Sequence, residues 1–152
     1  MFRTRSVTPS TALSLLASCF VLAACGDDVP VGPSGLRIAF ADEVVELGAG
    51  RAGQVQIRSG EPDPVGPITF RVEEKRGPTP EAGELIRVSL IPGSIAVIRK
   101  GERLSVALSV RTPAAAPLGS YSVTLAALVD GQVADTIEVR FRVTEGSPIG
   151  AA

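Results

Sequence analysis

The sequence contains no histidine, and this absence removes much of the chemistry that enzymes use. Without an imidazole there is no His general base, no Ser–His dyad and no histidine-ligated metal. Acidic residues such as Glu73 and Glu138 fall at outward strand positions, which does not suit the facing carboxylate pair of a glycosidase. We therefore predict a protein that is not an enzyme, with no metal ion, no other cofactor and no small-molecule substrate.

Cysteine and the large aromatic residues are scarce. Both cysteines, Cys19 and Cys25, lie near the N-terminus, so no disulfide can staple the body of the chain. Tryptophan is absent and there is one tyrosine, a poor set for stacking sugars. The net charge is −1 and no basic cluster is present, so the sequence argues against nucleic-acid binding. With 45% hydrophobic residues, 152 residues suffice for one domain held by its core alone.

Residues 1–24 have the pattern of a cleaved export signal. Arg3 and Arg5 give it a positive start, and no acidic residue precedes Asp27. The apolar stretch that follows, residues 12–24, is shorter than the roughly 20 residues that a membrane-spanning helix needs. We therefore predict a signal peptide.

The signal ends in Leu22-Ala23-Ala24-Cys25, which resembles the lipobox of bacterial lipoproteins. This resemblance implies cleavage before Cys25, lipidation of its thiol, and a mature chain held on a membrane by two or three acyl chains. Gly26, rather than an aspartate, follows the cysteine, and the same resemblance then favours the outer membrane over the inner. The alternatives are an ordinary signal cut near Ala23 or Ala24, and a retained signal anchor. The expected localisation is the bacterial cell envelope.

Residues 25–35 are rich in glycine and proline and have no hydrophobic period, so we predict the lipidated cysteine and an extended, flexible tether. The adjacent Asp27 and Asp28 are better explained as solvated charge than as metal ligands. The domain itself is expected over residues 36–145, followed by a disordered C-terminal tail at 146–152.

From Leu36 onward, apolar residues recur at every second position, as in strands with one buried face. Asp130-Gly131 lies between the last two such stretches and is a hairpin signal, because both residues tolerate the positive φ of a type I′ turn. No stretch after the signal has a convincing helical period. The pattern predicts an all-β, immunoglobulin-like antiparallel β-sandwich of about seven to nine strands. The predicted inward residues are Leu36, Ile38, Phe40, Val55, Ile57, Ile68, Phe70, Val72, Leu104, Val106, Leu108, Val110, Tyr121, Val123, Leu125, Ile137, Val139, Phe141 and Val143.

Three segments, 88–97, 101–110 and 117–125, resemble bacterial Ig-like domains, the small sandwich modules appended to many secreted glycosidases and subtilisin-like proteases. The most specific part is the Pro-x-Gly-x-Tyr approach that ends at Tyr121. The resemblance covers most of residues 36–143 and implies a fold rather than a function. It also implies that Tyr121 is structural and bonds to nearby backbone. The Cys…Trp…Cys core of antibody domains is absent.

We expect a membrane-anchored, non-catalytic interaction or structural module that binds another envelope protein. A weak glycan-binding module and a passive surface domain are the alternatives. If consecutive strands run antiparallel, the lipidated end lies with residues 59–66 and Asp130, and loops 75–83 and 112–119 lie at the opposite end. Pairing of a partner with an open sheet edge is a second possibility, and the sequence does not choose between them. The predicted partner-contacting residues are Lys75, Arg76, Thr79, Glu81, Thr112, Pro117 and Leu118.

Overall fold

The computed structural model describes residues 28–48 and 51–145. The predicted signal, the lipobox residues Leu22, Ala23, Ala24 and Cys25, and the tail at 146–152 lie outside the described residues. The described chain forms nine strands and one short helix in two sheets, so the predicted all-β Ig-like sandwich is confirmed. The elements are β1 (Ile38–Phe40), β2 (Val44–Leu47), β3 (Ala52–Ser59), β4 (Ile68–Arg76), α1 (Pro80–Glu84), β5 (Arg87–Ile91), β6 (Ser94–Ile95), β7 (Arg103–Arg111), β8 (Gly119–Val129) and β9 (Gln132–Val143).

Sheet A has the strand order β1-β3-β7-β5, and sheet B has the order β2-β9-β8-β4-β6. This arrangement matches the two sheets of an immunoglobulin domain, with the first strand divided between them. The residues between β1 and β2 carry the chain from sheet A to sheet B without reversing its direction. As a result β2 runs parallel to β9, and the expectation of purely antiparallel sheets is wrong at this pair.

The period-two pattern predicts the core well. Val55 and Ile57 of sheet A and Ile137 and Val139 of sheet B are almost fully buried, and they belong to one hydrophobic cluster. Four predicted core residues are only half-buried, although they pack against that cluster. These four are Leu36, Phe70, Val72 and Leu104.

Two local features depart from the expected pattern. A β-bulge between Val72 and Glu74 shifts the pairing of β4 with β8, so Glu74 and Arg76 are exposed although strict alternation would turn them inward. The helix α1 overlaps the end of the predicted loop 75–83, where Thr79 is its N-cap and Pro80 opens its first turn. Its five residues are too few to show a helical period, so the sequence pattern did not indicate this helix.

The segment before β1 is packed rather than extended. Val29 is only 6% exposed. The Gly35 N–H donates to the Gly32 carbonyl at 2.9 Å, and the Gly32 N–H donates to the Leu36 carbonyl at 2.8 Å. A Cβ on Gly32 would lie 1.8 Å from the Ala134 carbonyl oxygen, so only glycine allows this contact with β9. The prediction of an extended tether is therefore wrong for residues 28–35.

Candidate functional site

The structure brings the two predicted partner loops together at one end of the sandwich. We call this the far end, formed by residues 76–85, 112–121 and 142–145. A Cβ on Gly119 would lie 2.6 Å from Pro78 Cγ, and a Cβ on Gly77 would lie 2.9 Å from the Tyr121 ring, so the loops pack closely. Gly119 pairs with Val143, which places the end of β9 beside them. The predicted placement of these loops is confirmed.

The opposite end, which we call the near end, is formed by residues 28–37, 59–66 and 130–132. The Gly60 N–H donates to the Arg37 carbonyl at 2.8 Å, and the Arg37 N–H donates to the Glu61 carboxylate. Asp130 and Gly131 have φ angles of +50° and +77°, as the predicted type I′ turn requires. Arg37 therefore lies with the 59–66 loop, whereas Cys25 is outside the described residues, so the predicted position of the lipidated end stays a prediction.

Tyr121 fastens the 112–119 loop. Its hydroxyl donates to the Pro117 carbonyl at 2.7 Å, and its ring stacks on Phe141 with centroids 5.3 Å apart. Burial raises the pKa of the Tyr121 phenol. This is the structural role that the sequence predicts for it.

Thr112 is buried, at 6% exposure, and its hydroxyl accepts a hydrogen bond from the guanidinium of the buried Arg51. The prediction that Thr112 contacts a partner therefore does not fit its position. The Arg51 carbonyl also accepts from the Val110 N–H at 2.9 Å, so Arg51 links the start of β3 to the end of β7. Replacing the whole 112–119 loop would remove the bond between Thr112 and Arg51, so a single exposed residue is the better probe of this surface.

Two other predicted contacts lie on a strand rather than in a loop. Lys75 is half-buried near the end of β4. Arg76 is exposed and pairs with Glu74 at 2.7 Å, and this hydrogen bond raises the pKa of the guanidinium. Lys75 therefore lies outside the far end, and Arg76, the last residue of β4, stands at its border.

The remaining predicted contacts are exposed. The Thr79 hydroxyl accepts from the Ala82 N–H at 3.3 Å, and Glu81 stands in the first turn of α1. Pro117 is exposed, and beside it Leu118 is an apolar side chain with 53% of its surface open. These residues give the far end a small apolar centre with polar neighbours.

A shallow depression of about 450 Å³ lies beside the far end on the outer face of sheet B. Its lining includes Arg76, Arg140, Glu46 and Glu138. Arg140 donates to Glu138 at 2.6 Å, and this hydrogen bond holds the pKa of the carboxyl below its ordinary value. Because cations and anions alternate here, the depression does not select a ligand of one charge.

Sequence reasoning did not single out β5, which forms one edge of sheet A. Val88 and Leu90 turn toward the core but are only half-buried, and Ile91 is 73% exposed. The alternation over residues 88–91, ended by Pro92, is the sequence signal for this strand. Its edge position follows only from the pairing of the other strands.

Within the described residues, no three Cys, Asp or Glu side chains are grouped so that they could hold a metal ion. The described segments also contain no helix with the length and apolarity needed to cross a membrane.

No protein-family model matches the chain, and no curated protein matches it in sequence. Among solved structures, it is similar to the PapD-like domain 7 of human CEP192, with 12% identity, a TM-score of 0.48, and 91% of this chain and 99% of that one covered. A chaperone–tip adhesin complex of CFA/I fimbriae matches at 13% identity and a TM-score of 0.44, over 69% of this chain and 56% of that one. A family 123 glycoside hydrolase from Clostridium perfringens matches at 17% identity and a TM-score of 0.45. That match covers 66% of this chain and 22% of the hydrolase. At these identities the similarity concerns the fold alone.

Proposed function

We propose that this chain is a lipid-anchored, non-catalytic protein-interaction module of the bacterial cell envelope, held at Cys25 and presenting its far end to a partner protein. The observation that carries this proposal is the packing of residues 28–35 against the near end. Because these residues are held on the near end, the predicted flexible tether is replaced by a short anchor with a defined direction.

The anchor is short because only three residue steps separate Cys25 from Asp28, the first described residue, and Val29 directly after it is buried. Three extended residues span at most about 10 Å. Val29 is buried against Gly60, with a Cβ position on Gly60 only 3.0 Å from Val29 Cβ, so the segment does not add to this reach. A lipid on Cys25 therefore keeps the near end next to the membrane surface, and Gly26 favours the outer membrane.

The far end then points away from the membrane. β9 runs from the near end at Gln132 to the far end at Val143, a rise of roughly 36 Å at 3.3 Å per residue. Leu118, Thr79 and Glu81 are exposed there. A small apolar centre with a polar rim is typical of a protein-binding surface.

The side chains of the fold favour a protein partner over a glycan. Phe40, Tyr121 and Phe141 are buried, and Phe70 is half-buried and packs against Phe40 with ring centroids 6.4 Å apart. Aromatic rings that fill the core are not available to stack on sugars. The lack of histidine in the sequence supports a binding role over catalysis.

The test is site-specific photocrosslinking in the cells that make the protein. A photoreactive residue at Leu118 or Thr79 is expected to give an adduct with one envelope protein, and the same residue at Asp63 of the near end is the matched control. Cys25→Ala is expected to release the chain from the membrane and remove the adduct. Membrane retention of Cys25→Ala, or adducts at Asp63 but not at Leu118, would contradict the proposal.

A further inference from the structure

A sheet edge exposes unpaired backbone groups, and three of the four edges in this sandwich are protected. β1 is three residues long, and its outward Phe40 N–H donates to the Asp135 carboxylate at 2.8 Å. β6 has two residues and directly follows the Pro92-Gly93 turn. β2 carries Glu46 and follows Asp42 and Glu43, and charged residues discourage the addition of another strand.

β5 is less protected than the other three, because its one charged residue, Arg87, stands at the end of the strand. Its five residues contain no proline, no lysine and no acidic side chain. It pairs along its whole length with β7 on one side, and its other side is the edge of sheet A. An exposed edge of this kind is a template for pairing with another chain.

The register of β7 shows which backbone groups of β5 point outward. The Val110 N–H donates to the Arg51 carbonyl, so Val110 and every second residue of β7 direct their backbone groups toward β3. Ser109 and its alternates therefore face β5, where Ser89 is the partner of Ser109. The N–H and C=O groups of Val88 and Leu90 consequently point away from β7, along the open edge.

The side chains of β5 give the open edge a specific character. Val88 and Leu90 face the inside of the sandwich and are half-buried, because no further strand of the described residues covers them. On the outer face, Arg87, Ser89 and Ile91 are exposed. The edge thus offers an apolar inner row, and an outer row with a cation at one end and an apolar residue at the other.

We propose that the open edge of β5 binds an extended segment of the partner protein, which adds to sheet A as an antiparallel strand. Read from its N-terminus, the segment places an apolar residue opposite Ile91, an apolar residue opposite Leu90, any residue opposite Ser89, an apolar residue opposite Val88, and an acidic residue opposite Arg87. The Val88 and Leu90 backbone groups form four hydrogen bonds with it. This inference rests on the proposed function, since it names how the same partner is held.

A second copy of the chain fits this edge less well. Two β5 strands that pair antiparallel bring the near ends of the two sandwiches to opposite ends of the joined sheet. Copies anchored through Cys25 in one membrane have parallel orientations, and the reach of about 10 Å from Cys25 to Asp28 does not allow one of them to turn over. β5 also begins at the far end, where Arg87 pairs with Arg111, so a partner that contacts Leu118 can extend along it.

The experiment places a photoreactive residue at Arg87, Ser89 or Ile91 in the full-length chain in its own cells, with Ser105 of β7 as the matched control on the same sheet face. Adducts are expected at the three β5 positions with the partner that Leu118 captures. The crosslinked partner residues should be spaced two apart and run in the reverse order. Arg87→Glu should lower the yield of these adducts about tenfold, while Arg71→Glu, the same charge reversal at an exposed position of β4 in sheet B and outside the far end, should leave it unchanged.

The possible failures are distinguishable. Adducts at Leu118 without adducts on β5, equal effects of the two charge reversals, or crosslinks without the two-residue spacing would overturn strand addition and leave the proposed function standing. Adducts on β5 with a second copy of the chain would overturn the choice of occupant. Absence of a partner at both Leu118 and β5 would overturn the proposed function itself.

Discussion

The two edges of sheet A face the same physical problem and meet it differently. At β1 all three residues are buried, and a carboxylate from sheet B accepts the outward N–H of Phe40. At β5 the inward residues are half-buried, the outward backbone groups meet no other strand, and Ile91 is 73% exposed. One edge is sealed by the protein's own side chains, and the other is left available.

This difference shows that an open edge is not forced by the fold. The same sandwich contains the means to close an edge, because Asp135 does so with one hydrogen bond at β1. A monomeric protein gains solubility by closing its edges. An edge left open in such a molecule is therefore better explained by a binding role than by the limits of the architecture.

The largest expected effect on stability comes from truncating the core side chains of the two edge strands β1 and β5. Ile38→Ala in β1 removes a side chain with 0% exposure and should lower the free energy of unfolding by about 2–5 kcal/mol. Leu90→Ala in β5 is the matched change and should lower it by roughly 1 kcal/mol, because Leu90 is half-buried. Urea unfolding of the purified variants measures both values. Equal losses would show that β5 belongs to the core as fully as β1 does.

The next test removes the hydrogen bond that closes the β1 edge. Asp135→Ala leaves the Phe40 N–H without its acceptor and should lower the free energy of unfolding by about 1–3 kcal/mol. The variant should also associate more readily, because a second edge is now open, and analytical ultracentrifugation reports this. Thr136→Ala, at the exposed neighbouring position, is the control. An Asp135→Ala variant as stable as this control would show that the carboxylate does not secure the edge.

The sequence predicts those features of the two edges that depend on the alternation of apolar and polar residues. It does not predict the features that depend on which strands pair with one another. The inward positions of Ile38 and Phe40 follow from the period of two, and the bond made by Tyr121 is what the resemblance to bacterial Ig-like domains implies. The burial of Ala39, which sits between two core residues, does not follow from alternation, because β1 lies against β9 as well as beside β3. The bulge at Glu74 adds one residue to a strand that looks regular in sequence.

The candidate site follows the same rule. Counting antiparallel strands along the chain places the far-end loops correctly. The count succeeds because β1 and β2 run in the same direction, so the parallel pairing of β2 with β9 does not change which loops lie at which end. The openness of β5 could not be predicted, since an edge is defined by the strand that is missing beside it. Thr112 was misjudged because its partner Arg51 is 61 residues away in the chain.

A smaller effect is expected where a side chain fastens a loop instead of an edge. Tyr121→Phe removes the bond to the Pro117 carbonyl and should lower the free energy of unfolding by about 0.5–1.5 kcal/mol. Burial raises the pKa of the folded phenol, so the unfolded chain ionises first as the pH rises. The stability of the wild-type protein should therefore fall above about pH 10, and the Phe variant should lack this component of the fall. Tyr121 is the single tyrosine, so absorbance titration follows it directly. A phenol that titrates at its ordinary value would contradict the buried geometry.

The smallest change in stability is expected from a substitution in the open edge of β5. Such a substitution therefore gives the sharpest contrast with those in β1. Ile91→Lys places a charge on a side chain that is already 73% exposed, so the free energy of unfolding should change by no more than about 0.5 kcal/mol. Lysine on an edge strand opposes strand addition, so partner capture through β5 should fall while the fold is retained. Val97→Lys, at another exposed apolar residue outside the strands, is the matched control and should leave capture unchanged. A loss of stability at Ile91 comparable to that of Asp135→Ala would mean that β5 is sealed by contacts of its own. If Ile91→Lys is stable but no longer captures the partner, the two edges differ in function. The edge at β1 then contributes to the stability of the fold, whereas the edge at β5 binds the partner.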